Sequence, residues 1–360
     1  MIDTAKTIGM LGGGQLGRMA AQAAHRLGLQ VISYDPNPDS PAFQICAKSI
    51  CADWHDEKAL QDFASQIDVI TYEFENVPIE TLSILSKTKQ VYPKINLLQI
   101  AQHRLSEKTF LNETDIPTAR FKPVAIGEDI KTALQEWDST EGVLKTCRMG
   151  YDGKGQRFVK VGEDFQSAID SLNSNDLILE DKIDFENEIS VIVARDRFGT
   201  SKTYPPSLNE HKNHILHKTI APAPIDKSIK NEAQNLALRL AQKIELIGVL
   251  AIEFFVTKDG TLLANEIAPR PHNSGHWTIE ACSCSQFEQQ IRAVAGLPLG
   301  STAPHSKAEM VNLLGDDIIL GKDQYTANNS IHNYGKKEIK PGRKMGHITT
   351  LQGFWSSSDC

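Results

Sequence analysis

Thr7-Ile8-Gly9-Met10-Leu11-Gly12-Gly13-Gly14-Gln15-Leu16-Gly17 runs from a short apolar segment through a glycine turn into the start of a helix. A helix fits from Gln15 to Leu27, because Leu16, Met19, Ala20, Ala23 and Leu27 recur on one face and Gly28 stops it. Val31-Ile32-Ser33-Tyr34 reads as a second strand ending at Asp35-Pro36, and Asp68-Val69-Ile70-Thr71-Tyr72 as a later one ending at Glu73. Strand and helix alternating in this way predict an α/β class with a parallel sheet covered by helices. Ligands of such sheets gather beyond the carboxyl ends of the strands. Gly12–Gly17, Asp35 and Glu73–Asn76 all fall at such ends.

The glycine turn satisfies G-x-G-x-x-G, which lets backbone approach an anion at a helix N-terminus. Asp35 follows Gly17 by 18 residues, near the place of a ribose-binding acid in a dinucleotide fold. Two readings stay open on these residues alone, an NAD site and a tight turn that packs helix on sheet.

From about Pro117 the pattern changes to antiparallel strands with glycine turns. Gly142–Lys145 and Arg157–Val161 read as a hairpin whose long tip is Met149-Gly150-Tyr151-Asp152-Gly153-Lys154-Gly155-Gln156. A helix around Asp164–Leu172 and a strand Leu177–Glu180 close this small unit, followed by strands Glu188–Arg195 and Val249–Thr257 with a helix Ile229–Ile244 between them. The segment after Gly335 is rich in lysine, glycine and arginine but holds short apolar runs, so it is expected to fold.

The 360 residues exceed one small core and predict two or three lobes. Lys and Arg number 38 against 45 Asp and Glu, a net charge of −7 without a basic block, which argues against bulk binding to nucleic acid or a membrane surface. No window approaches the ~18 apolar residues of a membrane span. The first residues lack a charged stretch followed by a long apolar one, so no signal peptide is expected. The six cysteines form no CxxC pair and read as free thiols of a cytoplasmic protein.

Three constellations carry chemistry. The hairpin tip at 149–156, with Lys145, Arg148 and Lys154 beside it, reads as a mobile flap able to close over a polyphosphate. Glu253 and Glu266 lie on apolar strands joined by Lys258-Asp259-Gly260-Thr261; counted back from that turn they stand side by side. Paired carboxylates with a neighbouring carboxamide, Asn265, are hard oxygen ligands suited to Mg2+ on phosphates. Glu180, closing an apolar strand, can accept hydrogen bonds from a base or ribose. His211, His214 and His217 recur at every third position, and with Asn209, Glu210, Lys212 and Asn213 among them they read as a polar loop in which one histidine touches ligand, rather than as a zinc site.

Two glycine loops, a lysine pair and a two-glutamate strand pair resemble the ATP-grasp ligases. Gly12–Met19, Tyr72–Pro78, Gly150–Gln156, Asn265–Trp277, Tyr334–Lys336 and Pro341–His347 together resemble, in order and over residues 7 to 350, the N5-carboxyaminoimidazole ribonucleotide synthetases. That resemblance implies carboxylation of 5-aminoimidazole ribonucleotide (AIR) with ATP and bicarbonate, through carboxyphosphate, in purine biosynthesis. It implies ATP as co-substrate at Arg104, Lys145, Gly150–Gln156, Glu180, Asp181, Lys182, Ile183, Glu188, His211, Asn265 and Glu266. Mg2+, replaceable by Mn2+, would sit on Glu253 and Glu266. AIR would meet Gln15, Leu16, Glu73 and Asn76, with its monophosphate on Lys336, Arg343 and Lys344. Tyr151 and Asp152 would reach AIR from the flap, Asp152 handling the amine proton, while Arg270, His272 and Asn273 orient bicarbonate or carboxyphosphate.

The resemblance also implies a homodimer and three lobes: a Rossmann-like domain over 1–100, a flap domain over 101–184, and a larger domain over 185–360. A formate-using glycinamide ribonucleotide transformylase shares the fold and the acyl-phosphate logic, but Glu73-Phe74-Glu75-Asn76 and Gly342-Arg343-Lys344 favour the AIR enzyme. An NAD-dependent oxidoreductase rests on Gly12–Gly17 and Asp35 and leaves Glu253, Glu266 and the flap unexplained.

Overall fold

The computed structural model describes residues 5–150, 153–320 and 324–354. Five parallel strands lie in the order Lys48–Ile50, Gln30–Tyr34, Thr7–Leu11, Val69–Tyr72 and Gln90–Val91. Thr7–Leu11 has later strands on both sides, so the winding reverses at it, and the crevice beyond its carboxyl end is the natural ligand position. The helix Gln15–Arg26 buries Leu16, Met19, Ala20 and Ala23 against this sheet. It stops at Gly28, whose φ of +73° explains the glycine there.

A four-stranded antiparallel sheet follows, ordered Phe121–Val124, Leu177–Asp181, Glu141–Thr146 and Gln156–Lys160. The helices Gly127–Trp137 and Phe165–Asp170 cover it through a core of Ile130, Leu134, Leu144, Val159, Ala168 and Leu179. The expected hairpin is present, with Gly150 at Arg104 and Gly153 against His214. Tyr151 and Asp152 lie outside the described residues.

The third sheet has nine strands among the described residues. Its path begins Leu262–Ala268, Gly248–Thr257, Phe185–Arg195, Ser207–Lys212, Ile215–Ala221, and ends with Ser306–Leu314, Lys344–Phe354 and Asn329–Asn333. The basic segment after Gly335 thus ends in a central strand of a sheet, as its apolar runs suggested. The helix Gln286–Ala295 places Phe287, Ile291 and Val294 in the same core as Ile8, Met10 and Leu16. Its Gln290 reaches both sheets, accepting from the Val249 amide at 2.7 Å and donating to the Thr71 hydroxyl at 2.5 Å. Gln290 thereby ties the parallel sheet to the nine-stranded one. Among the described residues no helix is long and apolar enough to cross a membrane.

Candidate functional site

Glu253 and Glu266 are direct partners across the strands Gly248–Thr257 and Leu262–Ala268, side by side as their spacing required. A bulge between Glu253 and Phe254 adds local twist at this point. Burial, and then the neighbouring Glu266, push the Glu253 carboxyl up to about 8. Two carboxylates brought this close call for a cation. Carboxylate oxygens of both, with a ring nitrogen of His272, lie within 4.8 Å of one another. The Asn265 side-chain oxygen is buried with no hydrogen-bond partner among the described residues. Three hard oxygen donors, one of them unpartnered, fit Mg2+. Burial, and then Arg270, hold His272 well below its usual range, so the ring is neutral beside Glu253 at 3.5 Å.

A buried ionic cluster backs the pair. Lys145 and Lys108 contact the same Glu180 oxygen at 3.0 and 3.1 Å. Against its burial, Lys108, Lys145 and Arg104 hold the Glu180 carboxyl down to about 2, so it is ionised. Its second oxygen is buried and unpartnered among the described residues, an acceptor able to take a hydrogen bond from a ligand hydroxyl or amine. Arg104 lies 3.5 Å from Glu266 and donates to the Gly150 carbonyl at 3.2 Å, tying the carboxylate pair to the base of the flap. Beside them Glu107, pushed up to about 8 by burial and then Glu266, accepts from the Ile267 amide at 2.7 Å. Glu188 pairs with His211, and this contact raises the imidazole pKa against the effect of burial.

At the parallel sheet, the Gly14 amide donates to Glu73 at 2.7 Å and the Gly13 amide to Asp35 at 2.7 Å. A side chain on Gly14 would begin 2.8 Å from the Glu73 carboxylate, so the carboxylate would have to shift for any larger residue. The amides that would hold a pyrophosphate are therefore engaged by carboxylates, and Asp35 closes the turn instead of presenting itself to a ribose. This disfavours the NAD reading. Leu16 is buried in the core, so a contact from it to a ligand would be through its backbone. Gln15 and Asn76 are partly buried at the same strand ends.

Arg270 joins the two regions. It pairs with Glu75 at 2.7 Å, and Glu75, Glu73 and Glu266 together raise its pKa against burial. Asn273 exchanges two amide hydrogen bonds with Asn312, at 2.9 and 2.7 Å. Ser274, within the same loop, accepts from the buried Ser190 hydroxyl at 2.6 Å, and Asn209 donates to Ser190 at 3.1 Å. The His272–Asn273 loop is thereby fixed to the large sheet. The basic segment arrives from the other side: Lys336 donates to the Lys344 carbonyl at 2.6 Å, and the charge of Lys344 acts on Glu253, His211 and His272. Gln44 donates to the Gly335 carbonyl at 2.7 Å and accepts from Arg18 at 2.8 Å, fastening the segment to the first domain. Arg343 donates to the Glu338 carbonyl at 2.8 Å.

Glu253, Glu266, Asn265, Arg104, Lys145, Gly150, Glu180 and Arg270, all singled out in the sequence, meet here. The side chains of two others have partners of their own: Asp181 accepts from Arg120 at 2.9 Å and from Ser139 at 2.8 Å, and Lys182 pairs with Glu141. Gly153, Lys154, Gly155 and Gln156 follow the two undescribed flap residues, with Gly153 against His214. Lys108, Glu107, Glu75 and Asn312 were missed. The signal for the first two was the row Arg104, Glu107, Lys108, one face of the helix Arg104–Glu113.

A crossover sheet carrying facing carboxylates, a lysine-bound glutamate and a glycine-tipped hairpin define an ATP-grasp protein. Residues 109–287 match the profile of the ATP-grasp domain, 5–102 that of the ribonucleotide synthetase preATP-grasp domain, and 308–356 that of the phosphoribosylaminoimidazole carboxylase C-terminal domain. The N5-carboxyaminoimidazole ribonucleotide synthase of Brucella melitensis is 47% identical over 349 residues, covering 96% of each chain. An ADP complex of an N5-carboxyaminoimidazole ribonucleotide synthetase superposes with a TM-score of 0.93 at 42% identity, over 98% of this chain and 94% of the other. The Aspergillus clavatus synthase, solved with ADP and 5-aminoimidazole ribonucleotide, superposes with a TM-score of 0.89 at 30% identity, over 98% and 95%. The chain belongs to the N5-carboxyaminoimidazole ribonucleotide synthase family.

Proposed function

We infer that this protein is a C–N bond-forming ligase that carboxylates AIR with ATP and bicarbonate, giving N5-carboxyaminoimidazole ribonucleotide, ADP and phosphate, in purine biosynthesis. The observation that carries this reading is Arg270, ion-paired to Glu75 at the parallel-sheet crevice and electrostatically joined to Glu266 of the carboxylate pair. A nucleotide on one side and an amine substrate on the other would meet at this guanidinium.

A bicarbonate oxygen attacks the γ-phosphorus of ATP and ADP leaves. The AIR amine then attacks the carbonyl carbon of the carboxyphosphate, phosphate departs, and the amine proton passes to Asp152. Arg104 and Lys145 offset phosphate charge, Glu180 accepts from the nucleoside, and Arg270, His272 and Asn273 orient the bicarbonate. Carboxyphosphate hydrolyses readily, so the flap with Tyr151 must exclude water. Glu73, Gln15 and Asn76 hold the aminoimidazole nucleotide, with Lys336, Arg343 and Lys344 on its phosphate. Mg2+, or Mn2+ in its place, would be held by Glu253 and Glu266 and would neutralise phosphate charge there.

The division at 100 and 184 belongs to the same proposal; its support is that each interval holds one sheet. A homodimer and a cytoplasmic setting rest on the family resemblance. A substrate panel tests the reading: ADP release should require both AIR and bicarbonate. Turnover with glycinamide ribonucleotide and formate instead would overturn the substrate assignment.

A further inference from the structure

Behind the Lys336–Lys344 segment, three elements bring imidazoles and a carboxylate together. His276 and Glu280 are four residues apart around the short helix Thr278–Ala281, His332 lies on Asn329–Asn333, and His347 on Lys344–Phe354. Ring centroids of His332 and His347 are 4.4 Å apart, and those of His347 and His276 4.8 Å. The δ nitrogens of two rings are already held: that of His347 by the Tyr334 hydroxyl at 2.9 Å, and that of His276 by the Gln286 amide at 3.3 Å. Their ε nitrogens are buried without a partner among the described residues, as are Glu280 Oε2 and the Thr349 hydroxyl. Only one strong contact is made within the cluster, Glu280 to His332 Nε2 at 2.6 Å.

Buried polar atoms left unpartnered cost stability, and two of these belong to Glu280 and His347, whose ligating atoms gather with that of His332, which points to a ligand. We propose that Glu280, His332 and His347 bind a divalent transition metal ion of the Zn2+ type, at a site separate from the Glu253–Glu266 pair. Atoms of these three residues lie within 4.8 Å of one another. Tetrahedral zinc, with bonds of about 2.0–2.2 Å, needs ligand atoms about 3.4 Å apart, so a small side-chain movement closes the site. Two imidazoles and one carboxylate select such an ion over Mg2+, which takes oxygen. With His347 ligating through Nε2, its Nδ1–H donates to the Tyr334 hydroxyl oxygen, the outer contact that aims a ligating imidazole. His276 Nδ1 accepts from the Gln286 amide, so its Nε2 carries the proton, and a water supplies the fourth position. His332 is 24% exposed and Glu280 13%, which leaves an entry path. The ion would clamp the strands flanking Lys336 and Lys344 to the segment that follows His272 and Asn273.

The test uses the full chain, stripped with a chelator and incubated with Zn2+ in excess Mg2+, then desalted. Metal content and melting temperature are the readouts. The expected result is one Zn2+ retained per chain with a raised melting temperature, retention persisting in Glu266→Gln, and affinity more than about 100-fold weaker in His332→Gln and Glu280→Gln. Both substituted positions are partly exposed, so these variants should fold. No retention by the unsubstituted chain would overturn the proposal. So would loss in Glu266→Gln with retention in His332→Gln, which would place the ion on the other carboxylates.

Discussion

Lys108 shows how a single buried charge can set a site. Its ammonium is fully buried, 3.1 Å from Glu180 and 3.3 Å from the Ala264 carbonyl, so it joins the flap sheet to the strand that bears Glu266. Lys108→Met leaves Glu180 short of one of its two lysines in a dry environment. The expected cost is about 3–5 kcal/mol, with a raised KM for ATP; an unchanged denaturation midpoint would contradict it. Glu107 gives a pH signature. Burial, and then Glu266, push its carboxyl from the ordinary 4.5 up to about 8 in the folded chain. Because the native state binds the extra proton, stability of the ligand-free protein falls as pH rises from about 4.5 to about 8. Glu107→Gln should flatten that slope in a series of thermal melts, and a slope as steep as before would assign it to other groups. Neither residue stood out in the sequence. Arg104, Glu107 and Lys108 share a helical face, but charged rows at that spacing are the ordinary pattern of a solvated helix. They are buried by the strand Leu262–Ala268, some 160 residues later, and by Glu180 of the flap sheet. Glu253 and Glu266 were legible because charge inside an apolar strand is rare and their common turn fixes their register.

Strands and turns were legible where the pattern is local. The hairpin, the glycine turn and the first helix all followed from periodicity and breakers. The docking of one element on another was not, since it depends on partners distant in sequence. At the flap, Gly153 has a φ of +77°, and a methyl group there would begin 2.3 Å from His214 Cβ. Gly153→Ala should therefore hinder the flap from resting on the hairpin at His214, lowering kcat/KM for ATP about 10-fold, equivalent to about 1.4 kcal/mol. Normal kinetics would show that this approach is unimportant for closure. The basic segment combines both: its apolar runs predicted that it folds, but not that it docks on Gln44 or that Lys344 comes near enough to act on Glu253. Lys344→Ala should raise the KM for AIR more than that for ATP. An equal effect on both would move Lys344 to the nucleotide side.

Across the whole molecule, the helix Gln286–Ala295 couples the lobes, because one face completes the core of the parallel sheet while Gln290 bonds to both sheets. Ile291 is fully buried in that shared core. Ile291→Ala should cost about 2–5 kcal/mol and lower the unfolding midpoint of both lobes together. Separate transitions would show that the lobes are independent. Such coupling keeps Arg270 where the parallel-sheet crevice and the carboxylate pair can share it. The central claim is that ATP phosphorylates bicarbonate at this junction before the amine attacks. The P–O bond formed in the first step survives the second, in which a C–O bond breaks. With 18O-labelled bicarbonate, AIR and unlabelled ATP, the account predicts phosphate carrying one 18O per turnover. Phosphate without label, from a reaction that still yields the carboxylated product, would contradict it.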